Sequence, residues 1–247
     1  MKLMTHVVGG YPTLKESKKI VQMMAESFVS YIEIQFPFSD PIADGKAIME
    51  ANHKALKSGM TTDKCFSLIE DLDIKTPLLA MTYFNVAYAY GLERFCQKAQ
   101  KVGLYGLIIP DIPIDEEKHE HYIALCKKYS LHPIQIISPI TPEKRLKKLS
   151  KVASGFVYCV SDFGITGERS GLNPHLKSYL NRVRKHIKLP LALGFGISSA
   201  EQVEMASKYA DIVVVGSKLI NLHKEGGLSA IKAFLQKIPP KEAGSYP

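Results

Sequence analysis

The chain has no apolar run approaching the roughly 18 residues that a membrane-spanning helix needs. Its opening stretch, MKLMTHVVGGYPT, breaks into Gly-Gly-Tyr-Pro before a signal-peptide core could develop. Neither export nor membrane anchoring is expected. Cysteine is scarce: Cys65, Cys96, Cys126 and Cys159 are dispersed and include no C-x-x-C pair, the pattern of a reduced, cytoplasmic protein. No G-x-G-x-x-G turn follows the first apolar run, which counts against a dinucleotide-binding fold. The apolar runs contain no lysine, so an amine inside a barrel for Schiff-base chemistry is not expected. Metal ligation is not expected either, because His119 and His121 stand two apart in an expected helix and diverge, while His6 stands alone.

What the chain does have is enough apolar residues for a substantial core, with 46% hydrophobic and 23% charged positions in 247 residues. One globular domain follows, over 1–237, with 238–247 read as a loosely attached tail. The net charge of +8 would permit contact with nucleic acid. Much of it, however, lies in stretches such as EKRLKKLSK (143–151), where Leu146 and Leu149 keep helical spacing and lysines fill the outer face. That pattern reads as a solvated helix, and neither a nucleic acid nor a membrane is expected as a partner.

Eight short apolar, β-rich runs recur: MTHVVG (4–9), YIEIQF (31–36), PLLAMTY (77–83), GLIIP (106–110), HPIQIIS (132–138), GFVYCVS (155–161), LPLALGF (189–195) and DIVVVGS (211–217). Amphipathic stretches separate them, among them 17–28, 91–103 and 200–210. Strand and helix alternating eight times specify a parallel sheet, and eight units are the number that closes a (β/α)8 TIM barrel. An open doubly wound sheet is the alternative.

Within the second run, Glu33 shares a face with Tyr31 and Gln35, while Ile32, Ile34 and Phe36 point the other way. The apolar trio suits the helix-facing side, so Glu33 is expected inside the barrel. Desolvation there raises a carboxyl toward the range of a neutral-pH acid or base. A glutamate merely satisfied by neighbouring strands is the plainer alternative. The loop that follows, FPFSDPIADG, carries Asp40 and Asp44 at the end of the barrel where catalytic groups gather. Both aspartates also have a simple reading as turn residues.

A second signal lies late in the chain, where strand seven runs into GFGISS (194–199) and strand eight into Gly216 and Ser217. Barrels commonly bind phosphate with these two loops, because glycine permits close approach and helix-start N–H groups meet the anion. Ordinary turn chemistry is the competing reading. The glycine-containing segment SDFGITGERSG (161–171) reads as a lid over such a site or as a surface loop.

The stretches EIQFPFSDPIADG, LIIPDIPIDEE, SDFGITG, LGFGISS and VVVGS, in this order and spacing, resemble the tryptophan synthase α chain family from about residue 6 to about residue 225. The resemblance implies a carbon–carbon lyase that cleaves indole-3-glycerol phosphate to indole and glyceraldehyde 3-phosphate. It implies no cofactor in this chain, and a β chain that carries pyridoxal phosphate and receives indole within an α2β2 tetramer. A weakly active or non-catalytic activator of the β chain is the alternative, and another phosphate-binding barrel would leave the double-aspartate loop unexplained. Carried over by position, Glu33 is the acid/base and Asp44 the partner of the indole N–H. Tyr83, Tyr158, Thr166 and Gln35 fall at substrate-binding positions, Gly167, Gly196, Gly216 and Ser217 at phosphate-binding ones, and Asp40 and Asn85 at the partner interface.

The chain also departs from that family. Gln35 stands where glycine is usual, either filling substrate space or turning aside to hydrogen-bond within the site. His6 replaces a phenylalanine, Tyr11 an aspartate, and Lys46 a proline or similar small residue. The usual helix ahead of strand one is not expected.

Overall fold

The computed structural model describes residues 1–161, 174–194 and 196–238. Strands β1 (Lys2–Val8), β2 (Tyr31–Gln35), β3 (Leu78–Met81), β4 (Gly106–Ile108), β5 (His132–Ile137), β6 (Val157–Val160), β7 (Leu191–Gly194) and β8 (Ile212–Val215) pair in parallel in sequence order. Strand β8 returns to β1, which is the first element of the chain, and the barrel closes. Helix follows each strand, as a parallel sheet with short loops requires.

Two apolar cores result. The outer one lies between barrel and helices and contains Ile32, Ile34 and Phe36 with Phe66, Phe95 and Leu107. The inner one fills the barrel with Met4, Tyr31, Leu79, Ile108, Ile134, Phe156, Ala192 and Ile212. Tyr31 in the inner core and Ile32 in the outer one fix the facing of β2, and Glu33 is therefore turned inward.

The segment ends follow local chemistry. The helix expected over 17–28 runs instead over Leu14–Ala25, because the Thr13 side chain accepts a hydrogen bond from the Glu16 N–H and caps it three residues earlier. Leu146 and Leu149 are the buried pair of the helix Glu143–Leu149, which leaves its lysines outside. Strand β4 stops at Ile108, short of Pro110, which has no N–H to give a ladder.

Two expectations are corrected. Strand β1 begins at Lys2, so one strand does hold a lysine. That residue is exposed at the N-terminal end of the barrel, over the Tyr31 ring, and no lysine lines the cavity described below. His119 and His121 do not share a helix: Glu117–Glu120 ends at His121, which takes a left-handed conformation before Tyr122–Lys128 begins. No helix among the described residues is long and apolar enough to cross a membrane.

Candidate active site

A cavity of about 370 Å³ opens at the C-terminal end of the barrel. Its acidic side is formed by Glu33 and Asp44 with His6 beside them, and its apolar walls by Ile48, Met81, Ile108, Ile136, Val160, Ile197 and Val214. Tyr158 closes one side, and Gly196, Gly216 and Ser217 line the other end. The division leaves an apolar middle between two polar ends.

Barrel register assembles the acidic side. His6 on β1 is the direct partner of Glu33 on β2, and their side chains stand next to each other inside the barrel. The His6 Nδ1 and Glu33 Oε1 atoms are 2.9 Å apart, with each side chain only 5% exposed. Glu33 Oε2 and His6 Nε2 are buried with no hydrogen-bond partner among the described residues. Burial alone would push the imidazole down, but the Glu33 carboxylate, with help from Asp44 and Gln35, holds its pKa above the usual histidine value. His6, which stands alone in the first apolar run, is thus drawn into the site by strand pairing.

Asp44 is held from behind. Gln35 Nε2 donates to its Oδ2 at 2.7 Å, and the Tyr83 hydroxyl donates to the same oxygen at 3.0 Å. The same phenol oxygen accepts from the Ala43 N–H at 2.9 Å, and its ring stacks on Phe38 at 5.2 Å between centroids. Tyr83 therefore clamps the double-aspartate loop at two points. Asn52, fully buried, clamps it at a third by accepting from the Phe38 N–H. Burial raises the Asp44 carboxyl above its ordinary value, against the opposing pull of His6, Gln35 and Tyr83. Burial, followed by the Glu33 and Asp44 charges, keeps Tyr158 a neutral phenol far above its usual range.

The other end of the cavity is shaped for an anion. The helix Ser217–Gln236 starts directly after β8, and its cap, Gly216, offers no side chain to the first-turn N–H groups. By contrast Ser199 caps Ala200–Ala206 with its own hydroxyl. The longer helix is the one whose N-terminus is left for a ligand. A Cβ at Gly194 would lie 2.5 Å from the Tyr158 hydroxyl, so this glycine makes the room in which the phenol stands.

Among the comparisons with known proteins, a family model described as tryptophan synthase alpha chain matches residues 1–238. Relatives of that description from Syntrophotalea carbinolica and Petrotoga mobilis are each 41% identical, covering 96% of this chain and 93% and 94% of theirs. The solved tryptophan synthase subunit alpha from Campylobacter jejuni superposes with a TM-score of 0.87 at 34% identity, covering 96% of this chain and 95% of that one.

The chain belongs to the tryptophan synthase alpha chain family. As an alpha chain of tryptophan synthase it is a lyase of tryptophan biosynthesis on a TIM barrel. In this family setting, Glu33, Asp44, Tyr158, Gly196, Gly216 and Ser217 all line one cavity. Tyr83 and Gln35 do not line it. They reach it through Asp44, and Gln35, wholly buried, spends its amide on that carboxylate instead of occupying the cavity. Asp40, in the loop after β2, and Asn85, in the first turn of the helix Phe84–Tyr90 after β3, are exposed outside the cavity. Thr166 and Gly167, with the expected lid, lie outside the described residues. Sequence reasoning missed His6 and Asn52; an asparagine fourteen residues past a loop amide carries no local signal.

Proposed function

We propose that this chain performs the α reaction, the retro-aldol cleavage of indole-3-glycerol phosphate to indole and glyceraldehyde 3-phosphate. The observation that carries this reading is the cavity itself, with two carboxylates on one side, apolar walls between, and an uncapped helix N-terminus at the far end. The phosphate sits against Gly196, Gly216 and Ser217. The indole ring occupies the apolar middle beside Tyr158.

Cleavage then needs a proton on the ring carbon that bears the glycerol chain. Glu33 supplies it, and the ring becomes an electron sink with positive charge at its nitrogen. Asp44 accepts the N–H hydrogen bond and offsets that charge, which is worth most in a water-poor cavity. The adjacent glycerol hydroxyl gives its proton to Glu33, now a carboxylate, the C–O bond becomes a carbonyl, and the carbon–carbon electron pair returns to the ring. No cofactor is needed in this chain. The indole passes to a β chain carrying pyridoxal phosphate, in an α2β2 complex that Asp40 and Asn85 help to seat. Four cysteines that are all free support a reducing, cytoplasmic setting.

The test is indole release by the purified chain, alone and with a β chain. Release that rises with the partner is expected. Glu33→Gln should lower it by at least about 1,000-fold while inorganic phosphate still binds. Wild-type protein that stimulates a β chain but releases no indole would make this a regulatory subunit instead.

A further inference from the structure

Nothing in the reaction as written above uses His6, yet it is the most intimately placed ionisable side chain in the barrel. It is buried, it makes the one hydrogen bond that Glu33 has among the described residues, and it lines the same cavity. A phenylalanine would pack in this position without touching the chemistry. A histidine here cannot be neutral in its effect.

We propose that His6 is a positioning residue for Glu33, and that the two side chains work as one unit which lends a proton to the substrate and takes one back. This rests on the lyase reading given above. With Nδ1 fixed on Oε1, the carboxyl plane is set and Oε2 is left as its uncommitted oxygen at the cavity wall. The loaded pair holds imidazolium against carboxylate. One proton of the pair passes to Glu33 Oε2; that O–H bond breaks as a C–H bond forms on the indole ring carbon, and neutral imidazole, which keeps its Nδ1–H, remains hydrogen-bonded to the carboxylate. As the carbon–carbon bond breaks, the proton of the glycerol hydroxyl returns to the pair. The unit ends as it began, so no other proton source is required.

The surroundings support a loaded pair at neutral pH. From β2, Glu33 and Gln35 face His6, and from the loop beyond, Asp44; Tyr158 on β6, which stays a neutral phenol, lines the same cavity. On the helix side Tyr11 and His223 line a small cavity with His6, and His223 faces Glu16 at 3.7 Å. Carboxylates thus outnumber cations around the imidazole, which favours its charged form. The anion end lies close by, since a Cβ at Gly216 would be 3.5 Å from His6 Cβ. A bound phosphate would add to the same preference.

The experiment compares wild type with His6→Asn, whose amide can still donate to Glu33 but cannot hold an extra proton, across pH 5.5 to 8.5. At alkaline pH, kcat should fall by at least about 10-fold with KM changed by less than about threefold, and the deficit should shrink as pH is lowered. The reason is that a carboxyl with only a neutral donor gives up its proton at lower pH than an imidazolium held by a carboxylate. A merely structural role would lower kcat by one factor at every pH, and that result, or no loss at all, would overturn the proposal. An NMR titration of His6 in wild type and Glu33→Gln provides a readout independent of turnover. The imidazole should titrate above its ordinary value in the first and below it in the second; an unchanged midpoint also sinks the pairing. Wild type that releases no indole with a β chain present, despite a shifted His6 midpoint, would refute the lyase reading and leave the pair standing.

Discussion

At the scale of single residues the site holds two carboxyls under different restraint. Glu33 shares its burial with an imidazole, whereas Asp44 is bound by two neutral donors that converge on one oxygen. The raised pKa of Asp44 has a consequence for stability. Below the ordinary carboxylate range the group is protonated in both folded and unfolded chains and costs nothing extra. As pH rises through the raised folded-state value, the unfolded chain ionises more readily, and stability falls. Asp44→Asn keeps an oxygen for Gln35 and Tyr83 while removing the charge. It should therefore raise Tm at neutral pH, give no gain below about pH 3, and abolish indole release. A calorimetric series that showed the same Tm difference at every pH would contradict this account. Burying this carboxyl works against the fold, as the placement of functional groups often does.

At the scale of elements, the strands were legible because buried parallel strands read as continuous apolar runs, and all eight fall inside the stretches marked from sequence apart from the two residues by which β1 starts early. The inward facing of Glu33 was legible too, since period-two alternation needs only its own strand. Its partner was not. His6 lies 27 residues away, and only the β1–β2 register, a relation between strands, brings the two together. For Gln35 the sequence leaves two readings open, filling substrate space or turning aside, and the loop that places Asp44 within reach decides for the second. Glycines at strand ends illustrate the same limit, because two that look alike have different duties. Gly194→Ala would drive a Cβ to 2.5 Å from the Tyr158 hydroxyl and 2.7 Å from its ring, so it should cost about 1–3 kcal/mol of stability in urea unfolding. A Cβ at Gly216 would meet its nearest neighbour at 3.5 Å, an ordinary van der Waals contact. Gly216→Ala should change stability by less than about 1 kcal/mol yet raise KM, because its methyl stands at the helix start proposed to receive the phosphate. Equal effects of the two substitutions on both measurements would mean that neither glycine has the separate role assigned to it.

At the scale of the whole molecule, the cavity opens on a face that also carries apolar side chains in water. Ile42 is 85% exposed on the loop after β2, Tyr88 60% on the helix after β3, and Ile140 89% on the loop after β5. All three belong to segments that leave the C-terminal ends of strands, around the same mouth as Asp40 and Asn85. Scattered exposed apolar residues are ordinary, but several converging on the mouth of the candidate cavity suit a covering partner. Phe28, 73% exposed, supplies the control, for it precedes β2 and lies at the opposite end of the barrel. If the proposed β chain seats on the mouth, indole would leave the cavity directly toward it. Ile42→Asp and Ile140→Asp should then each weaken association with the β chain by about 10-fold or more, as measured by titration calorimetry, with Tm of the isolated chain unchanged. Phe28→Asp should leave the affinity as it was. Loss of affinity from Phe28→Asp, with the two mouth substitutions silent, would put the partner on the wrong end of the barrel and separate the route of indole from the surface that binds the β chain.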